Sequence, residues 1–188
     1  MKTLFIFLLL STSALAENCS YTLNQEKTKI EWEAYKTLAK AGVKGSFDLV
    51  EIKNIKAQSS ESKIFNGLAF SINTHSVNSG DKGRDKKLKE HFFTVNNAPL
   101  SISGVANNYK KKMINVAFNI NGVKKDIPLK VKKYDNKLTA TGTIDMFDFG
   151  LHTSLMAINK ACSLLHSGKT WNDVKISIAA EVSKECKN

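Results

Sequence analysis

Arg84 is the sole arginine in a chain whose other basic residues are all lysines, and it stands beside Asp85. A guanidinium next to a carboxylate can anchor a loop through hydrogen bonds, or its fork can meet an anionic group. Three cysteines, Cys19, Cys162 and Cys186, allow three pairings with one left over. No C-x-x-C occurs, so thioredoxin-like redox chemistry and zinc ribbons have no support. The histidines, His75, His91, His152 and His166, show neither H-x-x-x-H nor H-E-x-x-H spacing. There is no G-x-S-x-G elbow, and no carboxylate pair stands out as an acid–base couple. The residue chemistry therefore lends little support to an enzyme, a bound metal or a cofactor.

The elements that must position these residues follow from a period of two. Ile30, Trp32 and Ala34 alternate with Glu31, Glu33 and Tyr35; Leu68, Phe70 and Ile72 alternate with Ala69 and Ser71. Ile114, Val116, Phe118 and Ile120 form another set, then Asn121-Gly122 supplies a hairpin signal with Ile127, Leu129 and Val131 on the return. Leu138, Ala140, Gly142, Ile144 and Met146 follow an Asp135-Asn136 turn, and Val174 to Val182 closes the set. Two stretches break the alternation. Asp85 to Phe93 suits a short helix, and Leu151, Leu155, Ile158, Cys162 and Leu165 form one helical stripe. The pattern predicts an all-β domain with minor helix: an eight-stranded antiparallel barrel with a short and a longer helix on its connections. A sandwich would share the alternation, but one closed sheet under two helices fits better. A barrel of eight strands is filled by side chains or holds one small ligand. Large Trp32, Phe70, Phe118 and Phe147 beside small Ala34, Ala140 and Gly142 suit both outcomes.

The first residues are an address. Lys2, the apolar run from Leu4 to Leu10 and the Ala14-Leu15-Ala16 end read as a cleavable secretory signal over residues 1–16, leaving one domain over 17–188 and a periplasmic destination. The formal net charge of +11 invites a nucleic-acid reading. A single arginine, scattered lysines and no recognisable nucleic-acid motif argue against it. A solvated lysine surface, with a weak pull toward anionic membranes, is expected instead. Export permits a disulfide. Cys186 lies near the end of a polar tail, so Cys19 with Cys162 is the favoured bridge, fastening the new N-terminus to the helix.

Several stretches, in order, resemble the YceI-like family of periplasmic, lipocalin-like proteins that bind polyisoprenoid or related long-chain lipids. They are Ile30 to Lys36 followed by Gly42 to Phe47; Phe70 to Thr74 leading to Arg84-Asp85, Leu88 and Phe92-Phe93; Asn119 to Lys125; and Asp148-Phe149-Gly150 with Asp173 to Ile176. The chain departs at Ala98 to Ser103, which lacks the usual aromatics, and in the apolar helical insertion Leu155 to His166. The resemblance implies a bound long-chain lipid, isoprenoid or fatty-acid-derived, and a homodimer. Parity and resemblance together nominate Trp32, Phe47, Phe70, Ile72, Phe118 and Phe147 as tunnel residues, with Phe92, Phe93, Phe149 and Leu155 from the covering segments. Lys36 shares the parity of Trp32 yet is charged, which marks a strand end at the mouth, within reach of a head group. Arg84 and Asp85 read first as hydrogen-bond anchors that hold the loop and helix over the barrel, with an Arg84 head-group contact at the mouth as the alternative. The rival to a lipid carrier is a secreted envelope-stress or protein-interaction module whose barrel is filled.

Overall fold

The computed structural model describes residues 18–95, 97–166 and 168–187. The leader read in residues 1–16 lies outside them.

The described residues form twelve strands where period-two counting predicts eight. In chain order these are β1 (Asn18–Lys36), β2 (Ala41–Phe47), β3 (Val50–Lys53), β4 (Leu68–Ile72), β5 (Val77–Asn78), β6 (Thr94–Val95), β7 (Ala98–Pro99), β8 (Ile102–Lys110), β9 (Met113–Ile120), β10 (Val123–Tyr134), β11 (Lys137–Asp145) and β12 (Thr170–Lys187). Three helices, α1 (Lys82–Lys87), α2 (His152–Ala161) and α3 (Ser163–His166), sit on connections. β6 and β7 form a small ribbon of their own. The other ten form one antiparallel sheet in the order β3-β4-β8-β9-β10-β11-β12-β1-β2-β5.

That order returns on itself. β2 runs into β3 across Asp48 and Leu49, and β4 runs into β5 across residues 73–76. The Asp48 amide donates to the Ser76 carbonyl at 3.0 Å, and the Asn73 amide donates to the Leu49 carbonyl at 3.0 Å, so the two bent ribbons stay paired through their shared corner. The ten strands thus trace eight staves. The surplus arises at bends, which leave no mark in an alternating pattern. At the β4 bend, the Asn73 side chain accepts from the His75 amide and turns the chain locally.

Alternation fixes the inner face. Ile114, Val116, Phe118 and Ile120 on β9 are buried, as are Leu138, Ala140 and Ile144 on β11 and Ile176, Ile178, Ala180 and Val182 on β12. At the Asn121-Gly122 hairpin both residues have positive φ, 50° and 86°, as a type I′ turn requires. Ile64 and Phe65, on the connection before β4, are buried in the same core.

The covering helices form as expected, with two adjustments. After α1 the chain widens into a single π-helical turn over Leu88–Phe92. The long stripe breaks at Cys162, whose backbone leaves the helix, and Leu165 in α3 turns outward instead of packing. Leu155, Ile158 and Cys162 are buried together, with Leu88 and Phe92 packed against them. These five side chains join the helix of one connection to the other and cap one end of the barrel.

The disulfide differs from the favoured pairing: Cys19 bridges Cys186, not Cys162. The supposed polar tail is strand. β12 continues to Lys187 and pairs with the start of β1, and its register sets Cys19 directly across from Cys186 with Cα atoms 4.0 Å apart. Cys162 is free and buried under the helical cap.

Candidate binding cavity

Beneath the helical cap the barrel holds an apolar chamber of about 120 Å³. Its walls come from three sources. The sheet contributes Trp32, Phe47, Ile72 and Phe118; the π-helical turn contributes Phe92 and is followed by Phe93; α2 contributes Leu155. Each of these is a nominated residue. The phenylalanines interlock, with Phe93 edge-to-face on Phe47 at 5.6 Å and on Phe92 at 5.1 Å.

The chamber shares Trp32, Ala34, Leu88, Ile158 and Thr170 with a wider, more polar space of about 430 Å³. This second space is lined by Tyr35, Lys36, Asp81, Arg84, Lys87 and Leu165, among others. The second space, at the mouth of the barrel, carries three cations and one carboxylate and adjoins the apolar chamber along these shared walls. Lys36 falls at this mouth because it is the last residue of β1, opposite Thr170 at the start of β12.

Arg84 lines the mouth, but its guanidinium is already engaged. Nε donates to Ser79 Oγ at 2.8 Å and Nη2 to the Ser79 carbonyl at 2.7 Å. The Asp85 carboxylate accepts from both the amide and the hydroxyl of Ser79. Arg84 and Asp85 therefore clasp the loop before α1. Asp81 begins α1 by accepting from the Arg84 amide at 2.9 Å. That hydrogen bond, with the nearby Arg84 and Lys87 charges, holds the Asp81 carboxyl below the usual aspartate range, against a small opposing effect of burial.

Three nominated residues do not line the chamber. Phe70 and Phe149 are buried elsewhere in the core. Phe147 is a correction: it is 43% exposed and stacks on His152 with ring centroids 4.2 Å apart. The inward residues of β11 run through Ile144 to Met146, and the tight turn over Met146–Phe149 puts Phe147 on the other side.

The small inward residues divide as well. Ala34 borders both spaces. Gly142, by contrast, is covered by Leu129, whose side chain occupies the place a Cβ would take, and Ala140 is fully buried. Sequence reasoning missed Leu88, Leu100, Met146, Ile158 and Trp171 as chamber residues. Met146 and Ile158 follow the stated parity and stripe and were readable. Trp171 was not, because it lies between a Ser-Gly loop and the regular part of the last strand.

Trp32 has one further property. Its indole lies over Gly45, where any added Cβ would collide with the ring. Its Nε1 is buried and has no hydrogen-bond partner within the protein. An unmatched buried donor is costly. Among the described residues no group of three or more His, Cys, Asp or Glu is placed to hold a metal ion.

Comparison with known proteins agrees with this architecture. Residues 21–182 match the family model described as a YceI-like domain. A search of curated proteins finds no match. Among solved structures, a polyisoprenoid-binding domain from Saccharophagus degradans implicated in plant cell wall breakdown superposes with a TM-score of 0.59 at 14% identity, covering 89% of this chain and 98% of its own. BcnA of Burkholderia cenocepacia gives a TM-score of 0.58 at 16% identity, covering 86% and 99%. A YCEI protein of Campylobacter jejuni gives 0.50 at 18% identity, covering 79% and 86%. At these identities the structural likeness is one of fold. The family match spans nearly all of the described chain, from the first strand to the last, and on that ground the chain belongs to the YceI-like family.

Proposed function

We propose that this protein binds a long-chain lipid, isoprenoid or fatty-acid-derived, in the barrel interior, and that it sequesters or transports the lipid in the periplasm after export. Its chemistry is binding, not turnover. The observation that carries this reading is the placement of the chamber beside the mouth. The apolar space lined by Phe47, Ile72 and Phe118 and the space lined by Lys36, Arg84 and Lys87 have Trp32 and Ala34 as shared walls.

Each half suits one end of an amphiphile. Every CH₂ moved from water into the chamber contributes roughly 0.8 kcal/mol. The cationic mouth suits an oxygen-bearing head group. The fold shared with a solved polyisoprenoid-binding domain supports the same class of ligand. The modest volume of the chamber, about 120 Å³, is the observation that favours a filled barrel acting through its surface. A ligand would then have to displace Phe92 or Leu155 with the cap.

Titration of the delipidated protein with cis-parinaric acid tests the proposal, followed by competition with a polyprenyl alcohol and a polyprenyl phosphate. Saturable 1:1 binding, with displacement by the polyprenyl compounds, is expected. A protein that stays folded and shows no saturable signal with any of these lipids contradicts it.

A further inference from the structure

The mouth end of the barrel carries large apolar side chains that the proposed cavity does not use. Leu38, in the turn between β1 and β2, is 85% exposed; Leu164 and Leu165 in α3 are 99% and 64% exposed. Isolated exposed leucines are ordinary, whereas clustered ones mark an interaction surface.

These three belong to one rim. The turn bearing Leu38 is tied to the chain after α3: the Thr37 amide donates to the Lys169 carbonyl at 3.1 Å, and Trp171 Nε1 donates to the Thr37 carbonyl at 2.7 Å. Leu165 lines the mouth together with Tyr35, Lys36 and Thr170. Both sets of leucines therefore stand around the opening.

Lysines surround them. The Lys40 and Lys169 ammonium groups lie over the Trp171 ring, at 4.5 Å and 4.3 Å from its centroid. Lys36 and Lys87 line the mouth, and Lys160 is exposed at the end of α2. Opposing them are Asp173, paired with Lys40 at 3.0 Å, and Asp81, engaged in capping α1. Apolar tips ringed by lysines match a bilayer with anionic head groups. The leucines suit the acyl boundary and the lysines suit the phosphates. No helix among the described residues is long and apolar enough to cross a membrane.

We propose that this rim, with Leu38, Leu164 and Leu165 at its tip, docks the barrel mouth-first on an anionic phospholipid surface. The purpose of such docking, to pass a lipid between bilayer and chamber, rests on the lipid-binding reading. The surface itself does not. The other end of the barrel provides the control, because Lys110, Lys111 and Lys112 give it a cationic cluster without a mouth.

Co-sedimentation of the mature chain with phosphatidylcholine vesicles, with and without 30% phosphatidylglycerol, tests the proposal. Binding is expected only to the anionic vesicles and is expected to weaken with salt. Leu38→Glu/Leu164→Glu is expected to weaken it at least tenfold, and Lys40→Gln/Lys169→Gln about fivefold per lysine. Lys111→Gln/Lys112→Gln should weaken it less than twofold. Thermal unfolding and cis-parinaric acid titration are run on each variant, so that loss of docking is read separately from loss of folding or of the cavity. Three results overturn the proposal: no anionic-vesicle binding by the wild type, an equal effect from the two lysine pairs, or leucine variants that alter self-association while vesicle binding is unchanged.

Discussion

Phe70 meets Phe118 edge-to-face across Gly104, with ring centroids 5.6 Å apart at an angle of 70°. The three residues lie side by side on β4, β8 and β9, and the Phe70 ring fills the space that a Cβ on Gly104 would need. Only Phe118 borders the chamber. The pair thus divides core from cavity, and its two members should respond differently to the same change. Phe118→Trp should reduce lipid binding while the barrel stays folded, because the larger ring enters the void. Phe70→Trp should overpack the core and cost about 1–3 kcal/mol. Binding titrations and chemical denaturation of the two variants check the contrast.

Trp32→Phe removes the unmatched indole donor while leaving an aromatic ring over Gly45. A buried donor without a partner costs about 1–3 kcal/mol. The empty variant should therefore be at least as stable as the wild type. Chemical denaturation of the two proteins reads the effect.

Reduction of Cys19–Cys186 removes the covalent link between β1 and β12 and leaves only their ladder. The bridge spans a sequence separation of 167, so it restricts the unfolded chain strongly, and its loss should lower stability by about 2–4 kcal/mol. Cys162→Ser should leave the bridge intact. Peptide mapping without reductant, with denaturation of the reduced and oxidised protein, tests both statements.

Much of the fold was legible because burial in a barrel imposes alternation. Ile114 to Ile120 and Ile176 to Val182 state their inward faces in sequence. What alternation cannot express is where a strand bends or stops. The paired corners at Asp48-Leu49 and residues 73–76 and the extension of β12 to Lys187 involve distant strands, whereas the turn that sends Phe147 outward is a local one capped by Asp145, which interrupts the alternation without a Gly or Pro inside it. The site divides in the same way. Trp32, Phe118 and Leu155 follow from parity and stripe. The anchoring role of Arg84 beside Asp85 was also readable, though not its partner Ser79; the approach of Trp171 to the chamber depends on a loop path that no local pattern encodes.

Asp81 should titrate below an ordinary aspartate, because the Arg84 amide donates to its ionised carboxylate. A lowered folded-state pKa means that its contribution to stability is complete above the unfolded value near 3.8 and is lost as pH falls through the lower folded value. Asp81→Asn keeps a capping oxygen and should remove that pH dependence without unravelling α1. Side-chain carboxyl NMR titration gives the midpoint directly, and a midpoint at or above the ordinary value contradicts the assignment.

Lipid extraction and mass spectrometry of the protein purified from its source cells test the central claim most directly. The account predicts a long-chain isoprenoid or fatty-acid-derived lipid at about one per protein, depleted in Phe118→Trp. Protein that is consistently empty, together with a crystal structure in which side chains fill the barrel beneath the helical cap, would contradict it.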